Sequence, residues 1–168
     1  MESVSRDQLL RRLESQGVLS NQQHGFTKHR SCLTNLLETF ESWTRLIDEG
    51  FGVDVIYLDY SKAFDTVPHR RLLQKLADYG ITGNVLRWIE EYLTGRKMRV
   101  RVRGHESSWV LVRSGVPQGS VLGPLLFLLY VNELPTWIRS SIAMFADDTK
   151  IWRKISKAED ATLRCRRT

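Results

Sequence analysis

Residues 141–152 read SIAMFADDTKIW, an apolar segment that leads into two adjacent acids and then into a mixed segment. This pattern predicts a hairpin, with a strand over 141–146, a turn at Asp147-Asp148 and a returning strand over 149–152. Acids at a hairpin tip are commonly just solvated turn residues. Here the strongly apolar strand before them draws the tip toward a core, so the pair is also a candidate site.

A third acid has a similar setting. Asp59 ends the strand-like run VIYLD, residues 55–59. A carboxylate at the end of a core strand is costly to place unless it meets a cation or another partner. If Asp59, Asp147 and Asp148 converge, they could hold two divalent metals about 4 Å apart and catalyse phosphoryl or nucleotidyl transfer. Taken alone, an Asp in this position is more often a helix cap or a turn residue.

The remaining pattern predicts an α+β domain, in which an antiparallel sheet packs on helices. Leucines and aromatic residues recur at helical spacing between capping residues, such as Ser31 before 32–49, and glycines, whereas shorter alternating runs indicate strands. The predicted helices cover 6–16, 32–49, 68–79, 84–94 and 124–133. The predicted strands cover 53–58, 97–103 and 108–114, the last two joined by a turn at 104–106.

Composition and charge narrow the class of protein. The chain has 168 residues, 42% of them hydrophobic and 10% aromatic, which is enough for one core and argues against disorder. The net charge of +6 mildly favours an anionic partner. Cys32 and Cys165 lack metal-type spacing and are interpreted as reduced thiols of an intracellular protein. The apolar run 125–131 is too short to span a membrane, and the sequence leaves open nucleus or cytoplasm.

Residues 113–124 read RSGVPQGSVLGP, an unusually glycine- and proline-rich loop ahead of an apolar helix. Glycines let a backbone approach a ligand closely, and helix amino termini favour anions. The alternative is a purely structural turn between a strand and a helix. Taken alone, the loop favours the structural turn.

Four segments in this order resemble the palm motifs of reverse transcriptases, most of all those of non-long-terminal-repeat (LINE-type) retrotransposons. They are QHGF at 23–26 with RSC at 30–32, the segment 57–69 around Asp59, GVPQGS at 115–120 and FADD at 145–148. The resemblance covers about residues 15–160. It implies a right-hand polymerase palm with incomplete fingers and no thumb.

The resemblance also implies a metal site. Asp59 and Asp147 would hold two Mg²⁺ ions, with Mn²⁺ as an alternative, and Asp148 would complete the acidic cluster. The carbonyl of Tyr60 would be an additional ligand. Oxygen ligands of this kind suit Mg²⁺.

Other positions are implied to bind substrates, namely deoxynucleoside triphosphates, an RNA template and a DNA primer. Phe64 matches the position of a sugar gate, where a bulky ring repels a 2′ hydroxyl, although core packing is the alternative role. Gln118 and Gly119 match the loop that contacts the incoming nucleotide and template. Asp65 is expected to cap the following helix. No membrane partner is expected, and the sequence indicates no oligomeric state.

A basic row occurs in residues 97–103, KMRVRVR, where Arg99, Arg101 and Arg103 alternate with apolar residues. On a strand the three guanidinium groups would share one face. They could contact phosphates of a template–primer duplex, or they could guard a solvated edge strand. His24, His29 and His69 lack metal-ligand spacing and are expected at the surface or facing nucleic acid.

The expected organisation is a helical segment of partial fingers over 1–52, a palm with the catalytic motifs over 53–155, and a truncated charged tail over 156–168. The sequence therefore predicts a fragment of an RNA-directed DNA polymerase. The alternative is a catalytically silent retrotransposon remnant with residual nucleic-acid binding. An RNA-templated RNA polymerase is disfavoured by Phe64 and by the segment 23–26.

Overall fold

The computed structural model describes residues 2–156, which belong to two compact units, each built from two separate chain segments. Within the described residues, the first unit comprises 2–19 and Ser61–Val131, and the second comprises Ser20–Tyr60 and 132–156. Helices and antiparallel strands are mixed along the chain, as an α+β fold requires. The predicted division at 52 and 155 concerns functional segments, which these units do not test, and it stays a prediction.

The helices and strands follow in chain order. The helices are α1 Glu2–Ser15, α2 Cys32–Asp48, α3 His69–Asp78, α4 Gly83–Leu93, α5 Gly123–Val131 and α6 Leu134–Trp137. The strands are β1 Gly52–Leu58, β2 Lys97–Met98, β3 Arg101–Val102, β4 His105–Glu106, β5 Val110–Leu111, β6 Ser141–Phe145 and β7 Asp148–Ile155.

The first unit contains a helical core. The sequence of α5 is apolar on all sides, and the structure buries it accordingly from Leu125 to Leu129. Helix α3 contributes Leu72 and Leu76 to this core, one turn apart on the same face. Helices α1 and α4 add further leucines and an isoleucine with helical spacing.

Two short strand pairs, one nested inside the other, replace the long strands predicted over 97–103 and 108–114. Strand β2 pairs with β5, and β3 pairs with β4, all antiparallel. The tight turn consists of Arg103 and Gly104, which both have positive φ, +49° and +86°. Two-residue hairpin turns favour this conformation. The turn predicted at 104–106 was therefore wrong, because His105 and Glu106 lie in β4.

The second unit is a three-stranded antiparallel sheet in the order β1-β7-β6, with α2 packed against it. Strand β1 follows its predicted bounds closely. The hairpin turn is one residue earlier than predicted: Phe145 pairs with Asp148, so the turn consists of Ala146 and Asp147. Asp148 is the first residue of β7 instead of the second turn residue. Ala146 has φ +56°, a backbone conformation that its residue type does not predict.

Helix α2 begins as predicted, with a capping box. The Ser31 hydroxyl accepts a hydrogen bond from the Thr34 N–H at 3.2 Å, and the Thr34 hydroxyl oxygen accepts one from the Ser31 N–H at 2.9 Å. The face that the helix buries is polar, with Asn35 and Thr39 at 2% and 1% exposure. The apolar row that predicted the helix stays largely exposed, at Leu33, Leu36, Leu37, Phe40 and Ile47.

The polar face of α2 is held by hydrogen bonds to the sheet. Asn35 Nδ2 donates to the Met144 carbonyl at 3.1 Å, and Trp152 Nε1 donates to the Ser42 hydroxyl at 3.2 Å. Buried polar groups of this kind are stable only when they are paired. Across residues 2–156, we find no helix that is both long and apolar enough to cross a membrane.

Candidate functional site

The acidic site lies at the open end of the three-stranded sheet. Leu58 of β1 pairs with Thr149 of β7, and continuing this register by one residue sets Asp59 opposite Asp148. Both acids line a cleft of ≈ 370 Å³ beside α2, and both are exposed. The structure therefore brings one acid from each predicted motif to the same cleft.

Asp147 is placed differently from the other two acids. It is the second residue of the hairpin turn and is half-buried. The described residues that line the cleft include Asp59 and Asp148 but not Asp147. Over the described range, 2–156, no three His, Cys, Asp or Glu side chains are grouped so as to hold one metal ion. Carboxylate oxygens are ligands of the type that Mg²⁺ prefers. Asp147 and Asp148 lie at the β6–β7 turn, and Asp59 follows the neighbouring strand β1. The predicted roles of Asp59, Asp147, Asp148 and Tyr60 as metal ligands stay predictions.

Lys150 is a cleft residue that sequence reasoning missed. It lines the same cleft as Asp59 and Asp148, and its ammonium group donates to the Thr39 hydroxyl at 3.4 Å. Burial lowers the pKa of Lys150, and the nearby Asp148 opposes this shift. Its position two residues after Asp148 on a strand was the available signal, because alternate side chains share one face.

His24 is buried, so the prediction of a surface or nucleic-acid-facing histidine was wrong. Its side chain is 1% exposed, with Nδ1 3.0 Å from the Thr34 hydroxyl and Nε2 3.2 Å from an Arg30 nitrogen. Glu38 lies 3.3 Å from Nε2. Burial lowers the pKa of His24 more than Glu38 raises it, which favours a neutral imidazole at pH 7.

In the first unit, the loop after Arg113 is tied to the segment that follows Ser61. The Gly115 N–H donates to the Val67 carbonyl at 2.8 Å, and the Val116 N–H donates to the Phe64 carbonyl at 2.8 Å. Gly115 has φ +93°, and an added Cβ would lie 2.7 Å from the Asp65 Cα. Only glycine permits this approach of two backbones.

Gln118 and Gly119 lie exposed at the end of this loop. The Gln118 amide donates to an Asp65 carboxylate oxygen at 3.1 Å, which orients the glutamine side chain. Asp65 is therefore not the predicted helix cap. The N-cap of α3 is Pro68, and among the described residues no side chain caps that helix start. The loop is both a structural tie and an exposed polar surface, so its two interpretations are compatible.

Phe64 is half-buried and stacks on Phe127, with ring centroids 4.2 Å apart and an interplanar angle of 19°. Both residues belong to the first unit. The stack supports the packing role that the sequence left open for Phe64. It does not test the sugar-gate role.

The three arginines do not form one row on a continuous strand. Arg99 and Arg101 both face Glu106, Arg99 in an ion pair and Arg101 with Nε 3.8 Å from a carboxylate oxygen. The Arg99 guanidinium also lies over the Trp109 ring, 4.6 Å from its centroid. Arg103 is in the hairpin turn. Glu106 therefore neutralises part of the predicted basic surface.

Comparison with known proteins identifies the family of this chain. A family model described as "Reverse transcriptase (RNA-dependent DNA polymerase)" matches residues 5–166, which is nearly the whole chain. The chain belongs to the reverse transcriptase family. This confirms the resemblance drawn from the ordered motifs.

Relatives of this reverse transcriptase chain include proteins of non-long-terminal-repeat retrotransposons. It is 32% identical over 154 residues to the probable RNA-directed DNA polymerase from transposon X-element of Drosophila melanogaster, covering 89% of this chain and 17% of that protein. It is 35% identical over 114 residues to the RNA-directed DNA polymerase from mobile element jockey of Drosophila melanogaster, covering 63% and 12%. A Pol polyprotein from element R2 of Popillia japonica is 34% identical over 101 residues, covering 60% and 16%. The chain thus spans less than a fifth of these relatives.

Proposed function

We propose that this chain carries the nucleotidyl-transfer centre of an RNA-directed DNA polymerase, which adds deoxynucleotides to a primer 3′ hydroxyl on an RNA template. The supporting observation is that Asp59, directly after β1, and Asp148, the first residue of β7, line the same cleft, next to the turn that holds Asp147. The proposal includes a palm over 53–155 and part of the fingers over 1–52. The alternative, a silent remnant that still binds nucleic acid, retains the same acids.

The acids supply the ligand set for this chemistry. Asp59, Asp147 and Asp148, together with the Tyr60 carbonyl, would hold two Mg²⁺ ions, or Mn²⁺ in their place. Ions bound there would lower the pKa of the attacking hydroxyl and stabilise charge on the triphosphate. The chain's own contribution is to present exposed carboxylates at the end of a paired sheet, with the Lys150 ammonium in the same cleft.

The first unit would supply nucleotide contacts. Gln118 is exposed and already oriented by Asp65, so it can donate a second amide hydrogen to a ligand at little entropic cost. Gly119 leaves its backbone accessible. The Phe64 ring would lie beneath the sugar and repel a 2′ hydroxyl, which selects deoxynucleotides.

The decisive experiment is primer extension on an RNA template with Mg²⁺, comparing this chain with Asp147→Ala. We expect extension by the parent chain and none by the variant. Asp54→Ala is the matched control, since Asp54 is an exposed acid on β1, opposite Arg153 and away from the turn. If neither the parent chain nor Asp147→Ala extends the primer while both bind an RNA–DNA duplex, the silent remnant is the better description.

Replacing Phe64 with Val is expected to raise incorporation of ribonucleotides relative to deoxynucleotides by about 10- to 100-fold, since a smaller side chain removes the clash with the 2′ hydroxyl. The measurement is the ratio of kcat/KM for the two nucleotide types. Phe127→Val removes the same ring stack from the opposite side and serves as the control. An equal change of the ratio in both variants would assign Phe64 to packing alone.

Changing Arg99, Arg101 and Arg103 together to Ala is expected to weaken binding to an RNA–DNA duplex and to reduce the slope of log affinity against log salt by about one to two, because fewer counterions are released. The expected change is below three because Glu106 already pairs with two of these arginines. Glu106→Gln should act in the opposite direction and tighten binding. A salt slope that the triple variant leaves unchanged would exclude a phosphate-binding role.

A further inference from the structure

The turn that contains Asp147 is held by a side chain that is distant in the sequence. Gln23 is 4% exposed, and its amide reaches both backbone groups of Ala146. The Gln23 Oε1 accepts from the Ala146 N–H at 2.8 Å, and Nε2 donates to the Ala146 carbonyl at 3.2 Å. The same Oε1 accepts from the Gly25 N–H at 2.8 Å, so the amide also fixes its own segment.

A second contact holds the same turn through backbone shape. An added Cβ on Gly25 would lie 2.3 Å from the Ala146 nitrogen, a distance that atoms do not tolerate. Gly25 therefore allows segment 22–25 to lie directly against the turn. Two backbone hydrogen bonds join this segment to Met144. The His24 N–H donates to the Met144 carbonyl at 2.9 Å, and the Met144 N–H donates to the Gln22 carbonyl at 2.8 Å.

The turn needs such support, because Ala146 is a non-glycine residue at φ +56°. Alanine offers no side chain that could stabilise this left-handed conformation, which costs about 1–2 kcal/mol. An amide has one acceptor and one donor at the correct separation for both backbone groups of a residue, whereas a carboxylate lacks the donor and an aliphatic side chain lacks both. Asp147 directly follows Ala146. The orientation of the Asp147 side chain therefore depends on the clamp, by which we mean the two hydrogen bonds between the Gln23 amide and the Ala146 backbone.

We propose that Gln23 is a positioning residue for the acidic site, which fixes the Ala146 backbone so that Asp147 is presented in the orientation that binds a divalent cation. Gln23 would act through Asp147 and would itself touch neither the cation nor the nucleotide. The inference rests on the proposed function and adds to it a residue outside the acidic motifs. Groups that orient metal ligands without contacting the metal themselves typically contribute about 10- to 100-fold in metal affinity.

The test measures Mn²⁺ affinity of the 168-residue chain by electron paramagnetic resonance of the free ion, without nucleotide or template. Gln23→Met keeps the volume of the side chain and removes its hydrogen bonds. Gln22→Met is the matched control, because Gln22 is the exposed neighbour. Among the described residues, the Gln22 side chain accepts one hydrogen bond, from the Ser20 hydroxyl. Affinity is compared at a temperature at which circular dichroism shows each variant folded.

We expect Gln23→Met to weaken Mn²⁺ binding by about 10- to 100-fold and Gln22→Met to change it by less than about twofold. Gly25→Ala, which displaces the turn from the backbone side, should weaken it similarly. Unchanged affinity in folded Gln23→Met overturns this inference and leaves the proposed function standing. Absence of Mn²⁺ binding by the parent chain, or binding that Asp147→Asn does not reduce, overturns the proposed function and the inference with it.

A measurement on the parent chain covers the case in which Gln23→Met does not fold. Hydrogen exchange of the Ala146 amide should be strongly slowed, because that N–H is buried and bonded to Gln23. Exchange at the rate of an open hairpin tip, such as that at Gly104, would show that the clamp does not form and would overturn the inference.

Discussion

Replacing Asp59 with Asn is expected to lower RNA-templated nucleotide incorporation by about three orders of magnitude or more. The change keeps the size of the side chain and removes one negative charge from the cleft that Asp59 shares with Asp148. Charge stabilisation at a metal-assisted phosphoryl transfer is worth several kcal/mol, and each 1.36 kcal/mol is about a tenfold change in rate. Mn²⁺ affinity should fall in parallel.

The matched control for this variant is Asp54→Asn. It removes the same charge from within strand β1, upstream of Asp59, at an exposed site that pairs across the sheet with Arg153. We expect Asp54→Asn to keep most of the Mn²⁺ affinity and incorporation rate. Equal losses in the two variants would mean that net charge matters more than position, which would contradict the assignment of Asp59 as a ligand.

The second large effect concerns stability. Gly115→Ala is expected to reduce the free energy of unfolding by about 2–5 kcal/mol, combining left-handed backbone strain with an overpacked contact. The new Cβ would lie 2.7 Å from both the Cα and the carbonyl oxygen of Asp65, and backbone atoms cannot move aside easily. Urea unfolding monitored by circular dichroism measures the change.

Gly119→Ala separates the two causes. Gly119 has a similar φ of +74°, but in the described chain an added Cβ there would meet open space. This variant should cost only the strain, about 1–2 kcal/mol. If the two substitutions shift the urea midpoint equally, the tie between the loop and Asp65 contributes nothing measurable to stability.

Sequence alone predicted most helices and the strands of the larger sheet, because apolar spacing, Ser31 and the punctuating glycines act locally. It did not predict which face α2 buries. The exposed row from Leu33 to Ile47 carries the helical signal, whereas the buried face depends on partners that the sheet offers to Asn35 and Thr39. Local pattern also extended the strands over 97–114 too far. The pairing is interrupted between β2 and β3 and between β4 and β5, and Arg103 with its positive φ belongs to the turn.

For the candidate site, the sequence singled out several residues but not the tertiary contacts that hold them. The acids and the loop residues Gln118 and Gly119 stood out from ordered motifs, and Asp59 with Asp148 reaches one cleft. The turn was misplaced by one residue, because the conformation of Ala146 is imposed by Gln23 and not by its own type. Lys150 and the bond between Asp65 and Gln118 depend on tertiary contacts, which residue spacing does not encode.

The bond between Gln23 and Ala146 joins residues 123 positions apart. During synthesis on the ribosome, more than a hundred residues are therefore added after Gln23 before Ala146, its hydrogen-bond partner, is made. Strand β1 likewise cannot pair until β7 has been synthesised. Closing the long loop between these two strands is slow compared with forming a helix. The acidic turn therefore forms only after the helical segment between Gln23 and Ala146 has left the ribosome.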